Sequence, residues 1–152
     1  MYFNNETVLY LDGKFVKASE STTDLYGQTL HYGYGAFEGI RSYETEHGTK
    51  VFKAEEHYER LKKSCELVKI PFDYKVQELV EATYELLEKN NLKNAYIRPL
   101  VYCAPNMSLT KPTSVSLMIA VWDWGAYLGE KLLRLTVSSY CRPHPKSIHI
   151  EA

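Results

Sequence analysis

Ala54-Glu-Glu-His-Tyr-Glu-Arg-Leu-Lys-Lys-Ser-Cys-Glu-Leu-Val-Lys69 carries apolar side chains at Tyr58, Leu61, Cys65 and Val68, with lysines and glutamates filling the other positions. That three-and-four spacing is an amphipathic helix. Pro71 ends the pattern, Asp73 is placed to cap a new N-terminus, and Val76, Leu79, Val80, Thr83, Leu86 and Leu87 stripe a second helix that stops near Asn90-Asn91. Strand-like runs flank the pair on both sides. The order strands, two helices, strands points to an α+β domain: a largely antiparallel sheet with two helices packed on it.

Upstream, Val8 to Leu11 and Lys14 to Val16 flank Asp12-Gly13, a dipeptide suited to a two-residue hairpin turn. Ser19 to Gln28 is polar and reads as irregular. His31 to Arg41 then crowds three glycines among aromatic and charged residues, the mark of a shaped loop leading into an element. Phe37 to Tyr43 alternates as a strand, and Glu46-His47-Gly48 turns it back into Lys50 to Phe52. Downstream, Ala95 to Cys103 is a β-branched, aromatic and aliphatic run interrupted by Arg98 and Pro99, and Val115, Leu117, Ile119 and Val121 alternate in a second. Ala104 to Thr113 between them has two prolines and no period, so it is a loop of functional length. Trp122 to Gly129 is another break and Leu133 to Tyr140 a last strand.

The chain has 152 residues, room for one ordinary core. With 18 basic and 19 acidic residues it has no bulk electrostatic reason to bind nucleic acid or an anionic membrane. Cys65, Cys103 and Cys141 are widely spaced, which argues against a disulfide framework or a zinc site and fits a reducing compartment. No apolar segment approaches membrane-spanning length, and no histidine shows metal-ligand spacing. The expectation is a soluble, cytoplasmic protein without a metal.

Tyr96 and Arg98 sit two apart on one strand, so both side chains leave the same face. A phenol beside a guanidinium can grip a carboxylate; equally, Arg98 can simply face solvent beside a core tyrosine. Arg60 flanks the first helix's apolar stripe and can reach a phosphate or carboxylate, or pair with Glu56 one turn earlier. Trp122, Trp124 and Tyr127 are also compatible with plain packing at a strand end.

His-Tyr-Gly at 31–33, Phe-Glu-Gly-Ile-Arg at 37–41, Tyr-Ile-Arg-Pro at 96–99, Trp-Gly-Ala-Tyr-Leu-Gly at 124–129 and Ser-Ser-Tyr-x-Arg at 138–142 together resemble the branched-chain amino acid aminotransferases, pyridoxal-phosphate enzymes of fold type IV. The likeness runs from about Tyr10 to the last residue. Tyr-Ile-Arg-Pro and Phe-Glu-Gly-Ile-Arg point away from the related D-amino acid aminotransferases and aminodeoxychorismate lyases. A rival from another class is a binding or dimerisation module that kept the fold without the catalytic lysine.

The resemblance implies transfer of the amino group of leucine, isoleucine or valine to 2-oxoglutarate with pyridoxal 5'-phosphate as cofactor. Arg60, in His-x-x-Arg-Leu, matches the phosphate-binding arginine. Phe37 and Tyr96 match substrate-pocket residues, and Arg98 the arginine that holds glutamate's side-chain carboxylate. In the family's homodimer, Tyr32 and Leu109 match residues that complete the neighbouring subunit's pocket. Trp124 and Tyr127 match the segment where two domains join near the substrate. The resemblance divides the chain into an N-terminal domain at 1–128 and the start of a truncated cofactor-binding domain at 129–152. It also marks departures: the 104–113 loop, which shapes the pocket mouth, is short for the family, and Tyr140 replaces a frequent tryptophan.

The lysine that forms a Schiff base with the cofactor aligns immediately after Ala152, from Ser138, Ser139, Arg142, Pro145 and Ala152 taken without a gap. Lys146 falls on a non-lysine position of the family. A chain ending at Ala152 is therefore expected to be inactive by itself.

Overall fold

In chain order the elements are β1 (Val8–Leu11), β2 (Lys14–Lys17), α1 (Gln28–Tyr32), β3 (Gly35–Phe37), β4 (Ile40–Thr45), β5 (Gly48–Val51), α2 (Ala54–Leu67), α3 (Val76–Lys89), β6 (Ala95–Cys103) and β7 (Val115–Asp123). The structure is a computed structural model that describes residues 3–125, 129, 132–144 and 146–147. Asp12 and Gly13 both take positive φ, 47° and 86°, so the expected turn closes β1 on β2. The strands pair in the order β2-β1-β7-β6-β4-β5, with β3 also on β6 and every pairing antiparallel.

Phe37 opposes Leu100 and Ile40 opposes Ile97, which is one register against β6. β3 and β4 are thus one strand line split at Glu38-Gly39; it covers the strand expected at Phe37 to Tyr43 but starts earlier, at Gly35 within the glycine-rich stretch, and ends later, at Thr45. The cause lies on β6: the Glu38 amide donates to the Pro99 carbonyl at 3.1 Å, and Pro99 has no N–H to return.

Both helices cover one face of the sheet. Tyr58, Leu61 and Cys65 of α2 and Leu79, Leu86 and Leu87 of α3 are buried together with Ile40, Ile97, Leu117 and Ile119 from the strands. The Tyr58 hydroxyl donates to Thr83 Oγ1 at 2.5 Å, while Thr83 donates to the Leu79 carbonyl at 2.7 Å, so this polar pair is satisfied inside the core. Residues 95, 97, 99, 101 and 103 of β6 are buried under α2 and α3, whereas Tyr96, Arg98, Leu100 and Tyr102 stand half-buried on the other face, where only the short α1 lies, beside Leu100 and Tyr102.

Four local expectations change. α2 ends at Leu67 rather than Lys69, because Lys69 turns to a φ of 60° and the Ile70 amide closes on the Cys65 carbonyl at 2.8 Å. Lys75, not Asp73, is the N-cap of α3, without a side-chain cap bond, since the chain stays extended two residues past Asp73. Part of the glycine-rich loop is helical: α1 begins at Gln28 and closes at Gly33, whose φ of 64° returns its amide to the Thr29 carbonyl. The strand expected at Leu133–Tyr140 is not formed, because a strand requires a neighbouring ladder and none reaches this segment among the described residues. Leu135, Val137 and Tyr140 are all more than 90% exposed there.

Candidate active site

The face turned away from α2 and α3 gathers Phe37, Tyr96, Arg98 and Trp124, from three separate stretches of chain. Arg98 lays its guanidinium 4.3 Å from the centre of the Phe37 ring and donates from Nη2 to the Tyr96 hydroxyl at 2.7 Å. Its Nε is buried and has no hydrogen-bond partner among the described residues. The solvent-facing alternative for Arg98 is thereby removed. Tyr96 packs against Trp122 and Trp124 with ring centres 4.9 and 4.8 Å apart, and lies over Gly39, where a Cβ would overlap its hydroxyl. Arg41 donates to the Trp124 carbonyl at 2.7 Å, which anchors the chain as it leaves β7.

On the opposite side of the same strand line stands Glu38, 6% exposed. Arg60 grips it through two parallel bonds, Nε to Oε1 at 2.5 Å and Nη2 to Oε2 at 2.7 Å, and His57 Nδ1 donates to Oε2 at 3.0 Å. Burial pushes the Glu38 carboxyl up, but the hydrogen bonds and charges of Arg60 and His57 outweigh it and hold the group below the usual carboxylate range. The same bond to Glu38 raises Arg60. The expected Glu56 partner instead meets Lys53 at 3.9 Å.

Glu38 occupies only one edge of Arg60, whose side chain is 60% exposed. Arg60 also borders an open hollow of about 440 Å³ with Lys62, Lys63, Glu59 and Glu66. Arg60, Lys62 and Lys63 bring three cations to this hollow and Glu59 and Glu66 two carboxylates, and the exposed edge of the guanidinium that Glu38 leaves open is the part able to donate to an anion such as a phosphate. Because Phe37 and Glu38 are adjacent and point to opposite faces, one peptide links the aromatic wall to the arginine clamp.

Tyr32 and Leu109 form a separate rim. They line a cavity of about 290 Å³ with Gln28, Tyr34, Val68, Lys69, Thr110 and Lys111, and none of Phe37, Tyr96 or Arg98 lines it. Tyr32 is 47% and Leu109 86% exposed. Tyr127 lies outside the described residues, as does Ala152. Among the described residues no helix is long and apolar enough to cross a membrane, and no cluster of three or more His, Cys, Asp or Glu could hold a metal.

Sequence reading passed over Glu38, Gln28 and Arg41 as site-building residues. For Glu38 a signal existed: alternation places it with Ala36, Ile40 and Ser42 on the inward face, where a carboxylate requires a partner.

Residues 35–152 match the family model described as amino-transferase class IV. The chain belongs to that family. Among curated relatives, the branched-chain-amino-acid aminotransferase of Pseudomonas aeruginosa is 39% identical over 147 residues, covering 93% of this chain and 48% of the relative. That of Escherichia coli K12 is 36% identical over 147 residues, with 92% and 48% covered. The chain spans about half the length of the curated relatives it matches. The crystal structure of the Escherichia coli enzyme superposes with a TM-score of 0.88 at 35% identity, over 94% of this chain and 49% of the other. The branched-chain aminotransferase of the thermophilic archaeon Thermoproteus uzoniensis, crystallised with norvaline, gives 0.86 at 33% identity, over 93% and 48%. The α+β sheet with two main helices is thus the fold of the N-terminal part of these aminotransferases.

Proposed function

We propose that the whole protein containing this chain transfers the amino group of leucine, isoleucine or valine to 2-oxoglutarate, with pyridoxal 5'-phosphate as cofactor. The observation that carries this reading is Arg98, stacked on Phe37, bonded to Tyr96, and left with a buried Nε–H that has no acceptor among the described residues. Such a site must take both an aliphatic side chain and that of glutamate. Phe37, with Tyr32 from a neighbouring protomer, supplies aromatic walls for the first, and Arg98 with the Tyr96 hydroxyl receives the carboxylate of the second. When the substrate is apolar, the guanidinium stays against the Phe37 ring and the Tyr96 oxygen, which limits the cost of an unpaired charge.

Arg60 holds the cofactor's phosphate, with Glu38 keeping its guanidinium in place. The cofactor, when bound, supplies the electron sink that makes a substrate Cα–H acidic. The proton-carrying lysine follows Ala152. Residues 1–128 form the N-terminal domain and 129–152 begin the cofactor domain, where the segment from Leu133 finds its strand partners. Trp124 and Tyr127 stand at the junction near the substrate. The protein works in the cytoplasm as a homodimer in which Tyr32 and Leu109 complete the neighbour's pocket.

The test is the complete gene product incubated with leucine, 2-oxoglutarate and pyridoxal phosphate. Glutamate formation, with a visible absorbance that borohydride bleaches into a stable adduct, is the expected result. A protein that stays colourless with added cofactor and forms no glutamate refutes the proposal in favour of a non-catalytic module.

A further inference from the structure

Gln28 is 2% exposed at the start of α1, and its amide is satisfied on one side only: Oε1 is buried with no partner among the described residues, while Nε2 uses both its hydrogens. Its Nε2 donates to the Ser108 carbonyl at 3.0 Å and to the Thr110 carbonyl at 3.1 Å. Those two carbonyls flank Leu109. Carbonyls of a surface loop ordinarily face water, so their capture by a side chain from inside sets the height and direction of the residue between them.

The rest of the loop is held to match. Asn106 Oδ1 accepts from the Ser108 amide at 3.0 Å and from its hydroxyl at 2.6 Å, while Nδ2 donates to Thr110 Oγ1 at 3.1 Å. The Asn106 amide donates to the Tyr26 carbonyl at 3.2 Å, and the Tyr32 hydroxyl to the Met107 carbonyl at 3.1 Å. Tyr32 and Leu109 are thus one mechanical unit. At its apex Leu109 remains 86% exposed, so the ordering is spent on an apolar group that finds little cover in its own chain.

We propose that Gln28 is a positioning residue for substrate selection: it pre-sets the 104–113 loop so that Leu109 closes the apolar subsite of the neighbouring protomer. This rests on the dimeric aminotransferase reading above. Gln28 touches no substrate and acts only through Leu109. Pre-ordering lowers the entropic cost of packing Leu109 against a bound aliphatic side chain, and so favours branched substrates over glutamate.

The test uses the complete gene product carrying cofactor, with Gln28→Met, which keeps length and removes both donors, beside Leu109→Ala and the double variant. Thermolysin, which cuts before bulky apolar residues, reads the loop directly. Gln28→Met is expected to speed cleavage before Met107 or Leu109 by about tenfold or more, as expected for a loop that loses its pinning bonds. It is also expected to raise KM for leucine about tenfold, with kcat and the KM for glutamate within about twofold. The double variant should match Leu109→Ala in KM for leucine. Unchanged cleavage overturns the brace; faster cleavage with unchanged KM for leucine overturns its delivery of Leu109. Additive effects of the two substitutions overturn action through Leu109. A wild-type protein without transaminase activity sinks the underlying reading instead, while the cleavage result still decides the brace. If Gln28→Met does not fold, Asn106→Ala on the loop rim must show the same split in weaker form, and its absence overturns pre-ordering.

Discussion

Removing Arg60 should harm the fold more than removing the carboxylate it binds. Glu38 is almost wholly enclosed, its side chain 7% exposed, whereas that of Arg60 is 60% exposed. Arg60→Ala therefore leaves a buried carboxylate with His57 alone, and breaking a buried pair from that side costs about 3–5 kcal/mol. Because the guanidinium side of this pair is solvated, the lower end, about 3 kcal/mol, is the expected loss. Glu38→Gln releases Arg60 into water and forfeits charge-assisted hydrogen bonds, about 1.5 kcal/mol. Replacing both should cost little more than Glu38→Gln alone, since no buried charge then remains. The pH dependence has a definite sign. Glu38 sits below its ordinary range when folded, so the pair's contribution is complete above the unfolded value of about 4.3 and is lost as pH falls through the folded one. The Arg60→Ala penalty is largest near neutrality and shrinks in acid. Urea unfolding of the complete protein at pH 7 and pH 4 measures all three variants. Equal costs for the two single variants, or a penalty that grows in acid, would refute the reasoning.

Other consequences are equally direct. Arg98→Ala should lower kcat/KM for glutamate by about 10–100-fold, the worth of a charged hydrogen bond, and change that for leucine far less; equal losses would count against the carboxylate role. Gly39→Ala drives a methyl group into the Tyr96 hydroxyl and should cost about 1–3 kcal/mol of stability, read as a lower thermal midpoint; an unchanged midpoint would show that Tyr96 moves aside freely. Tyr58→Phe removes the buried donor to Thr83 and should cost about 1 kcal/mol by urea titration, with no change in substrate preference.

Much of the fold was readable because its signals are local. Apolar spacing marked α2 and α3, alternation marked β6 and β7, and Asp12-Gly13 marked the opening hairpin, each within a few residues of itself. The five motifs likewise pointed to the family, and the residues matched to its substrate pocket, Phe37, Tyr96, Arg98 and Trp124, meet on one face. The sequence alone thus determined the two long helices, the main strands, their order and the family resemblance, but not the short helix α1 inside the glycine-rich stretch nor the absence of a strand at 133–140, where no local period decides the outcome. Tertiary structure decided the partnerships. Arg60 prefers Glu38, 22 positions away, to the nearby Glu56, because burial makes the Glu38 carboxylate demand a charge that a solvated Glu56 does not. Pro99 splits a strand laid against it from elsewhere in the chain, and Gln28 reaches 80 positions ahead to set Leu109. Such choices depend on register and solvent exclusion, which exist only once distant segments are packed together.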